Sequence, residues 1–382
     1  MSCSEKGSDN AHRIENSEDP EDCRNGRQSD FLSHQDGDLP LSIPAGVYLQ
    51  RQRKLIIHVD LNSTILVSDA VTKQGTIAVL ESFLPCVTWG RVAKGKWEWM
   101  SDSPSLQPPC EGAVSYYSKY GRVAGFTRSP PGHKFKGVLE EHLALLRWPA
   151  GQEEDQLLSV RGEDGQLYHW ILPSFFQLLQ DLVEQGTEFA IVFRTFGTDL
   201  PHVLGTMNYV LTQGSHPLFP NLPALKLSVN ETPGQIRCSK KATVLTRGGE
   251  RLSSRDGERG LYQFFSSSQG LGGFQDHFHW WAQNTFSNLG GKPLWIDPFD
   301  PKVQHIFFDD NIRQDDEDTI VHPKVFLDPG GTQMRTAFTS ELYDICLVQN
   351  DLLKAISDLH YFTKRVQMCQ ENYERNLQQG AY

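Results

Sequence analysis

The chain has no apolar run approaching the roughly 20 residues needed to cross a bilayer, no cysteines paired at CxxC spacing, no excess of positive charge and no internal repeat. Each absence removes a class of function. Without the apolar run, and with an acidic, Ser-rich N-terminus in place of a signal or transit peptide, no membrane partner is expected. The seven cysteines (Cys3, Cys23, Cys86, Cys110, Cys238, Cys346, Cys369) are dispersed and odd in number. Zinc sites and disulfide frameworks need tighter spacing, so these read as free thiols of a cytoplasmic protein. Lys and Arg number 36 against 47 Asp and Glu, a net charge of -11, which argues against the basic stripe of a nucleic-acid binder. The glycines of GLGG and GGERLSSRDGERG sit in no strand-to-helix phosphate cradle. The acidic run Asp315, Asp316, Glu317 and Asp318 lacks the turn glycine of a calcium-binding EF-hand loop.

What is present begins with an uneven distribution of charge. Residues 1–40 hold ten acids against four bases and so supply six of the eleven excess negative charges. Residues 1–45 carry almost no aliphatic periodicity and read as a disordered acidic tail. Residues 46–340 read as an α/β domain built on a Rossmann-like, doubly wound parallel sheet, interrupted by insertions at 72–170 and 214–275. The first insertion carries short β-like runs, among them GRVAKGKWEWM and AVSYYSKYGRVAGF, and one helix, VLEEHLALLRW. The second is loop-rich, with a hairpin in ATVLTRGGERLSS around Gly248 and Gly249. Residues 341–382 read as one long helix. Its apolar positions Ile345, Leu352, Leu359 and Val366 fall seven apart, a stripe that packs on its own domain or pairs with another chain.

Three apolar strands end in polar tips, and these carry the chemistry. Lys54 to Val59 is followed by Asp60, Asn62, Ser63 and Thr64. Pro173 opens a helix, Gly186 stops it, and the buried run Phe189 to Phe193 then leads to Arg194, Thr195 and Gly197. A second helix follows Thr198. Val303 to Phe308 ends in Asp309 and Asp310. Side chains at the C-terminal ends of parallel strands are where open α/β sheets bind ligands. Asp60 is a competent nucleophile towards phosphorus. Asp309 and Asp310 are hard oxygen ligands suited to Mg²⁺. Thr195 can hydrogen-bond a phosphoryl oxygen, and a lysine would complete the charge balance, Lys292 being the candidate and Lys302 its rival. In DHFHWW, His277 and His279 fall on different helix faces, and Trp280 and Trp281 read as core.

VDLNSTILVSD, VFRTFG and FFDDN resemble, in order, the first, second and fourth motifs of the haloacid dehalogenase-like (HAD) hydrolase superfamily. The resemblance covers about residues 52–72, 172–213 and 290–330. It implies a Mg²⁺-dependent phosphohydrolase acting through an aspartyl-phosphate on Asp60. Asn62 would orient phosphate and lend its main-chain carbonyl to the metal held by Asp60, Asp309 and Asp310. Thr195 and Lys292 would steady the transferring group, and Ser63, Thr64, Arg194 and Gly197 would meet the substrate. Arg194 could equally face solvent. The insertion at 72–170 stands where this family places a cap; Arg122, Arg128, Lys134 and Lys136 within it either meet the substrate or are solvated surface. A small phosphorylated molecule or a phosphoprotein would be the partner.

One departure bears on the chemistry. Phosphatases of this superfamily carry a second Asp two positions after the nucleophile, as general acid and base. This chain has Asn62, whose amide exchanges no proton near neutral pH. Three outcomes follow: a phosphohydrolase with weakened acid–base assistance, slow or confined to good leaving groups such as acyl phosphates; one in which another residue supplies the proton; or a catalytically inactive binding protein on the same fold.

Overall fold

A computed structural model of the chain describes residues 53–69, 73–93, 96–121, 123–214, 216–314 and 319–379. The acidic tail, Cys3, Cys23, Arg122 and the acidic run from Asp315 to Asp318 lie outside the described residues.

Of the strands among the described residues, nine position the site: β1 (Lys54–Val59), β2 (Phe189–Thr195), β3 (Gly234–Cys238), β4 (Thr243–Arg247), β5 (Glu250–Ser253), β6 (Gly270–Gln275), β7 (Lys292–Ile296), β8 (Val303–Asp309) and β9 (Leu347–Gln349). Eight of them form one sheet in the order β5-β4-β3-β6-β2-β1-β8-β9. The six strands from β3 to β9 run parallel, and the β4–β5 hairpin extends the sheet antiparallel. β7 belongs to a second, three-stranded sheet with Val321–Phe326 and Met334–Thr336.

The sequence explains why the large sheet is covered on both faces. Along β1 the side chains alternate: Leu55, Ile57 and Val59 enter the main apolar cluster, and Ile56 enters another. The main cluster takes Phe175 and Leu179 from the helix Pro173–Glu184, Val203 and Met207 from Leu200–Thr212, and Phe362 and Val366 from Tyr361–Gln379. The opposite cluster takes Leu261 and Phe265 from the helix Glu258–Ser266, with Trp295 of β7. A parallel strand buried on both faces has to be apolar throughout, and Phe189 to Phe193 meets that requirement. Gly186 adopts φ +66° behind the helix it terminates, and Gly248 and Gly249 turn the β4–β5 hairpin at φ +53° and +91°.

Three expectations fail. Residues 341–377 are not one helix. The segment Thr339–Leu342 is a single turn, Leu347–Gln349 joins the sheet as its edge strand β9, and helices Leu352–Ser357 and Tyr361–Gln379 follow. The seven-residue stripe is broken by Asp351, whose carboxylate caps the third segment at Lys354 N, and Leu359 is left exposed in the turn. Val366 packs on the chain's own main cluster. Residues 214–275 are not an insertion either, since β3 and β6 extend the parallel sheet. β6 reads as a loop because it is GLGGFQ. A Cβ at Gly273 would lie 2.5 Å from Leu200 Cδ1 and 2.9 Å from Phe193 Cβ, so the glycine is there for close approach. Finally, AVSYYSKY is mostly helix: Ser115 caps Tyr116–Tyr120 by accepting from Ser118 N.

Among the described residues no helix is long and apolar enough to cross a membrane. Cys110, Cys238, Cys346 and Cys369 are free thiols.

Candidate functional site

Register sets the geometry. Val59 of β1 pairs with Phe308 of β8 and Phe193 of β2, so the next residues, Asp60, Asp309 and Arg194, stand at one height. The ladder continues into this row through Asp60 N, which donates to Phe308 O at 2.9 Å. Parallel neighbours lie about 4.8 Å apart, which brings the first carboxylate beside the acidic pair. One oxygen each of Asp60, Asp309 and Asp310 falls within 4.8 Å of the others, and among the described residues this is the one such group.

Lys292, fully buried at the start of β7, reaches into the middle of these groups. Its Nζ donates to Asp60 Oδ1 at 2.6 Å, to Asp309 Oδ2 at 2.7 Å and to Arg194 O at 3.1 Å. It opens a strand rather than a turn or helix. Its rival Lys302 precedes β8, at the opposite end of the sheet. Three carboxylates face one ammonium, a formal excess of two negative charges when all three are ionised. Burial raises the Asp60 carboxyl well above its ordinary range, with Lys292 opposing and Asp309 and Asp310 adding to the rise. Burial, and then Asp309, pushes Asp310 up to about 7. Burial pulls Lys292 the other way, but Asp309 and Asp60 outweigh it and hold the ammonium protonated. A hard divalent cation fits this set on charge and on ligand type.

Thr195 Oγ1 accepts from Gly197 N at 2.9 Å, which leaves its own proton available to a ligand. Gly197 therefore contributes room rather than a free donor: a Cβ there would stand 3.2 Å from both Asn62 Oδ1 and Thr195 Oγ1. Ser63 adopts φ +60°, uncommon for a residue with a side chain, at the tip of the turn closed by Ile65 N and Leu66 N on Leu61 O. Thr64 is buried beneath the site with Oγ1 3.5 Å from Asp60 Oδ2.

A cavity of about 610 Å³ opens over these strand ends, bordered by Asp60, Asn62, Ser63, Thr195, Lys292 and Asp310. Its other wall comes from the 72–170 segment, through Val79, Phe83, Val87, Leu106 and Tyr117. Arg128, Lys134 and Lys136 are not in this wall; Lys134 pairs with Asp102 and Lys136 with Glu140. His279 and Trp281 line the cavity, and Trp281, read from sequence as core, is half-buried there. His277 instead bonds the main chain of Cys238.

Arg194 does not meet the cavity. Its guanidinium, fully buried on the other face of β2, grips Asp276 through two bonds of 2.9 and 2.7 Å and donates to Pro293 O. Alternation explains the placement: Thr195 and Arg194 are adjacent, so their side chains leave opposite faces. Arg194 also lies 3.4 Å from His58 Nδ1, which fixes a tautomer chain. His58 Nε2–H then donates to His305 Nδ1 at 3.1 Å, and His305 Nε2–H to Ser266 Oγ at 3.0 Å. Burial, followed by Arg194, lowers His58, and burial lowers His305 to about 3, so both rings are neutral.

Sequence reasoning missed Asp276, the buried tip of β6, and Asp199. Asp199 stands where the helix Leu200–Thr212 begins but does not cap it. Its Oδ2 accepts from Asn62 Nδ2 at 3.1 Å, and the same amide donates to Ser68 O at 3.0 Å. The side chain at position 62 is thus held by two acceptors, which an amide satisfies and a carboxylate does not. Asp199, four residues past Thr195, gave no sequence signal beyond ordinary helix-start preference.

Comparison of the chain with models of protein families, with curated proteins and with solved structures gives no match.

Proposed function

We propose that this chain is a Mg²⁺-dependent phosphohydrolase of the HAD-like kind, with Asp60 as the nucleophile that carries the phosphoryl group. One observation carries the reading: three carboxylates and one lysine, drawn from positions 60, 292, 309 and 310, converge at the ends of parallel strands under an open cavity. Asp60, Asp309 and Asp310 would hold the cation, with the Asn62 carbonyl. When bound, Mg²⁺ offsets the repulsion between carboxylates and phosphate and polarises the phosphoryl oxygens. An Asp60 oxygen attacks phosphorus, Lys292 offsets the charge of the carboxylates beside it, and the Thr195 hydroxyl donates to a phosphoryl oxygen. Asn62 turns its Oδ1 towards the Gly197 gap and supplies no proton.

That amide favours a second reading, a binding protein with an inert pocket. Loss of acid–base assistance commonly costs about 10²–10⁴ in rate, so the natural substrates of an active enzyme need good leaving groups. Acetyl phosphate separates the readings. With Mg²⁺, the wild type is expected to turn it over and Asp60→Asn to lose at least a hundredfold in kcat. Absence of turnover in the wild type, or its survival in Asp60→Asn, would place the chain among inert binders or assign the chemistry elsewhere.

A further inference from the structure

The wall facing the reaction centre is built from rings. Phe196, the residue after Thr195, places its ring centroid 5.1 Å from Lys292 Nζ. Trp281 stacks on Phe196 with centroids 5.3 Å apart and planes at 20°, and Phe278 meets Phe196 edge-on at 5.7 Å and 77°. Phe286 braces Trp281 from its edge at 5.1 Å and 86°. One ring therefore separates the carboxylate cluster from a continuous aromatic surface. Phe278 remains 45% exposed and Tyr117, across the cavity, 40%. Large rings left in water at a cavity mouth, when most such side chains are buried in folding, mark a surface that gains by covering.

The polar end of the cavity points to the same ligand. With an amide at position 62 locked onto Ser68 and Asp199, no side chain there protonates the departing oxygen. A departing group that is stable as an anion needs no such help. A phenol ionises near pH 10, against about 16 for water-like hydroxyls, so phenolate departs without assistance where an alkoxide does not.

From these two observations we infer that the substrate is an aryl phosphate, its ring held between Phe196, Trp281 and Phe278 on one side and Phe83 and Tyr117 on the other. The inference rests on the phosphohydrolase reading above. In the step it implies, an Asp60 oxygen bonds to phosphorus while the phosphorus–oxygen bond to the ring breaks. The phenolate leaves with the electron pair and takes its proton from solvent. Water then attacks the aspartyl-phosphate, releasing inorganic phosphate and restoring Asp60. A cavity of about 610 Å³ exceeds the needs of one phenyl ring, so both a free bicyclic aryl phosphate and a tyrosyl phosphate in a peptide belong to the class.

Binding is measured separately from chemistry, because aryl esters are intrinsically more reactive. Benzylphosphonate and cyclohexylmethylphosphonate, which match in size and cannot be hydrolysed, are titrated against the full chain with Mg²⁺ by tryptophan fluorescence. The flat ring is expected to bind at least tenfold more tightly, and Trp281→Ala to reduce that preference to within about twofold. Phe278→Ala, at an exposed position, gives the same readout with less risk to folding. Equal affinities in the wild type, or a preference kept in both variants, would overturn the inference. Acetyl phosphate, which has no ring, reports on the parent reading alone. Turnover of it without ring preference rejects only the aryl assignment; ring preference without turnover rejects the hydrolase, and with it the substrate, and leaves an aryl-phosphate binder. Kinetics on 1-naphthyl phosphate and on a phosphotyrosyl peptide then distinguish the two sources of the ring.

Discussion

Asn62 is the residue on which most of the chemistry turns, and its surroundings determine what a change there does. Its amide nitrogen lies 3.1 Å from a carboxylate and 3.0 Å from a carbonyl, both acceptors. Asn62→Asp would therefore set acceptor against acceptor and two carboxylates face to face. The expected result is a loss of about 1 kcal/mol in urea denaturation, as two half-buried acceptors lose their shared donor, rather than a clean gain of acid–base function. Exchanging the pair, Asn62→Asp with Asp199→Asn, restores a donor between residues 62 and 199 but leaves Ser68 O facing a carboxylate, so it should recover part of that loss. Additive effects of the two substitutions in a double-mutant cycle would show that the residues do not interact. The sequence made Asp60, Thr195 and Asp309 legible because each ends an apolar run. It misplaced Arg194 because residue type suggested phosphate binding, whereas strand alternation sends the side chain to the opposite face, onto Asp276.

At the scale of elements, the strands that read correctly are the ones rich in aliphatic and aromatic residues. β1, β2 and β8 gather the site, and each carries a run of aliphatic or aromatic residues, at 55–57, 189–193 and 306–308. β6 did not stand out, since four positions of GLGGFQ carry either no side chain or a polar one. Its glycines serve packing: β6 lies beside β2 so closely that the Leu200 side chain fills the space of the missing Cβ at Gly273. Gly273→Ala is accordingly expected to destabilise by about 1–3 kcal/mol through overpacking, seen as a lower melting temperature, and Leu200→Ala in the same chain should relieve part of that strain. An unchanged melting temperature would mean that β6 and the Leu200 helix move apart at little cost. The C-terminal region misled for a different reason. A seven-residue spacing survives across a strand, a capping aspartate and a turn, so period alone did not reveal the break; the β-rich triplet Leu347–Gln349 and the Asp351 cap did the breaking.

Across the whole molecule, a parallel sheet collects the ends of distant segments at the point where strand order reverses. β1 lies at that point, with β2 and β6 on one side and β8 and β9 on the other. Val79, Phe83, Val87, Leu106 and Tyr117 supply the far wall of the cavity. The small sheet bearing β7 delivers Lys292 from behind. This convergence sets three carboxylates against one lysine, a formal excess of two negative charges that protons or a cation relieve. Neither that excess nor the aromatic wall is visible in single motifs, because Phe196, Trp281 and Lys292 meet only through the fold.

That formal excess calls for a proton or a cation, and metal-linked stability reads which of the two is held. The Asp310 carboxyl sits at about 7 in the folded chain, raised by burial and by Asp309 above its ordinary value. A raised carboxyl contributes stability that is fully present below the unfolded value near 4 and is lost as pH rises through about 7. A divalent cation competes with that proton. Melting temperatures measured with and without Mg²⁺ between pH 5.5 and 8 should show little stabilisation at the acid end and the largest at the alkaline end, and Asp310→Asn should flatten the trend. A Mg²⁺ effect absent at every pH, or equal at both ends and unchanged in Asp310→Asn, would contradict the claim that these carboxylates hold a cation.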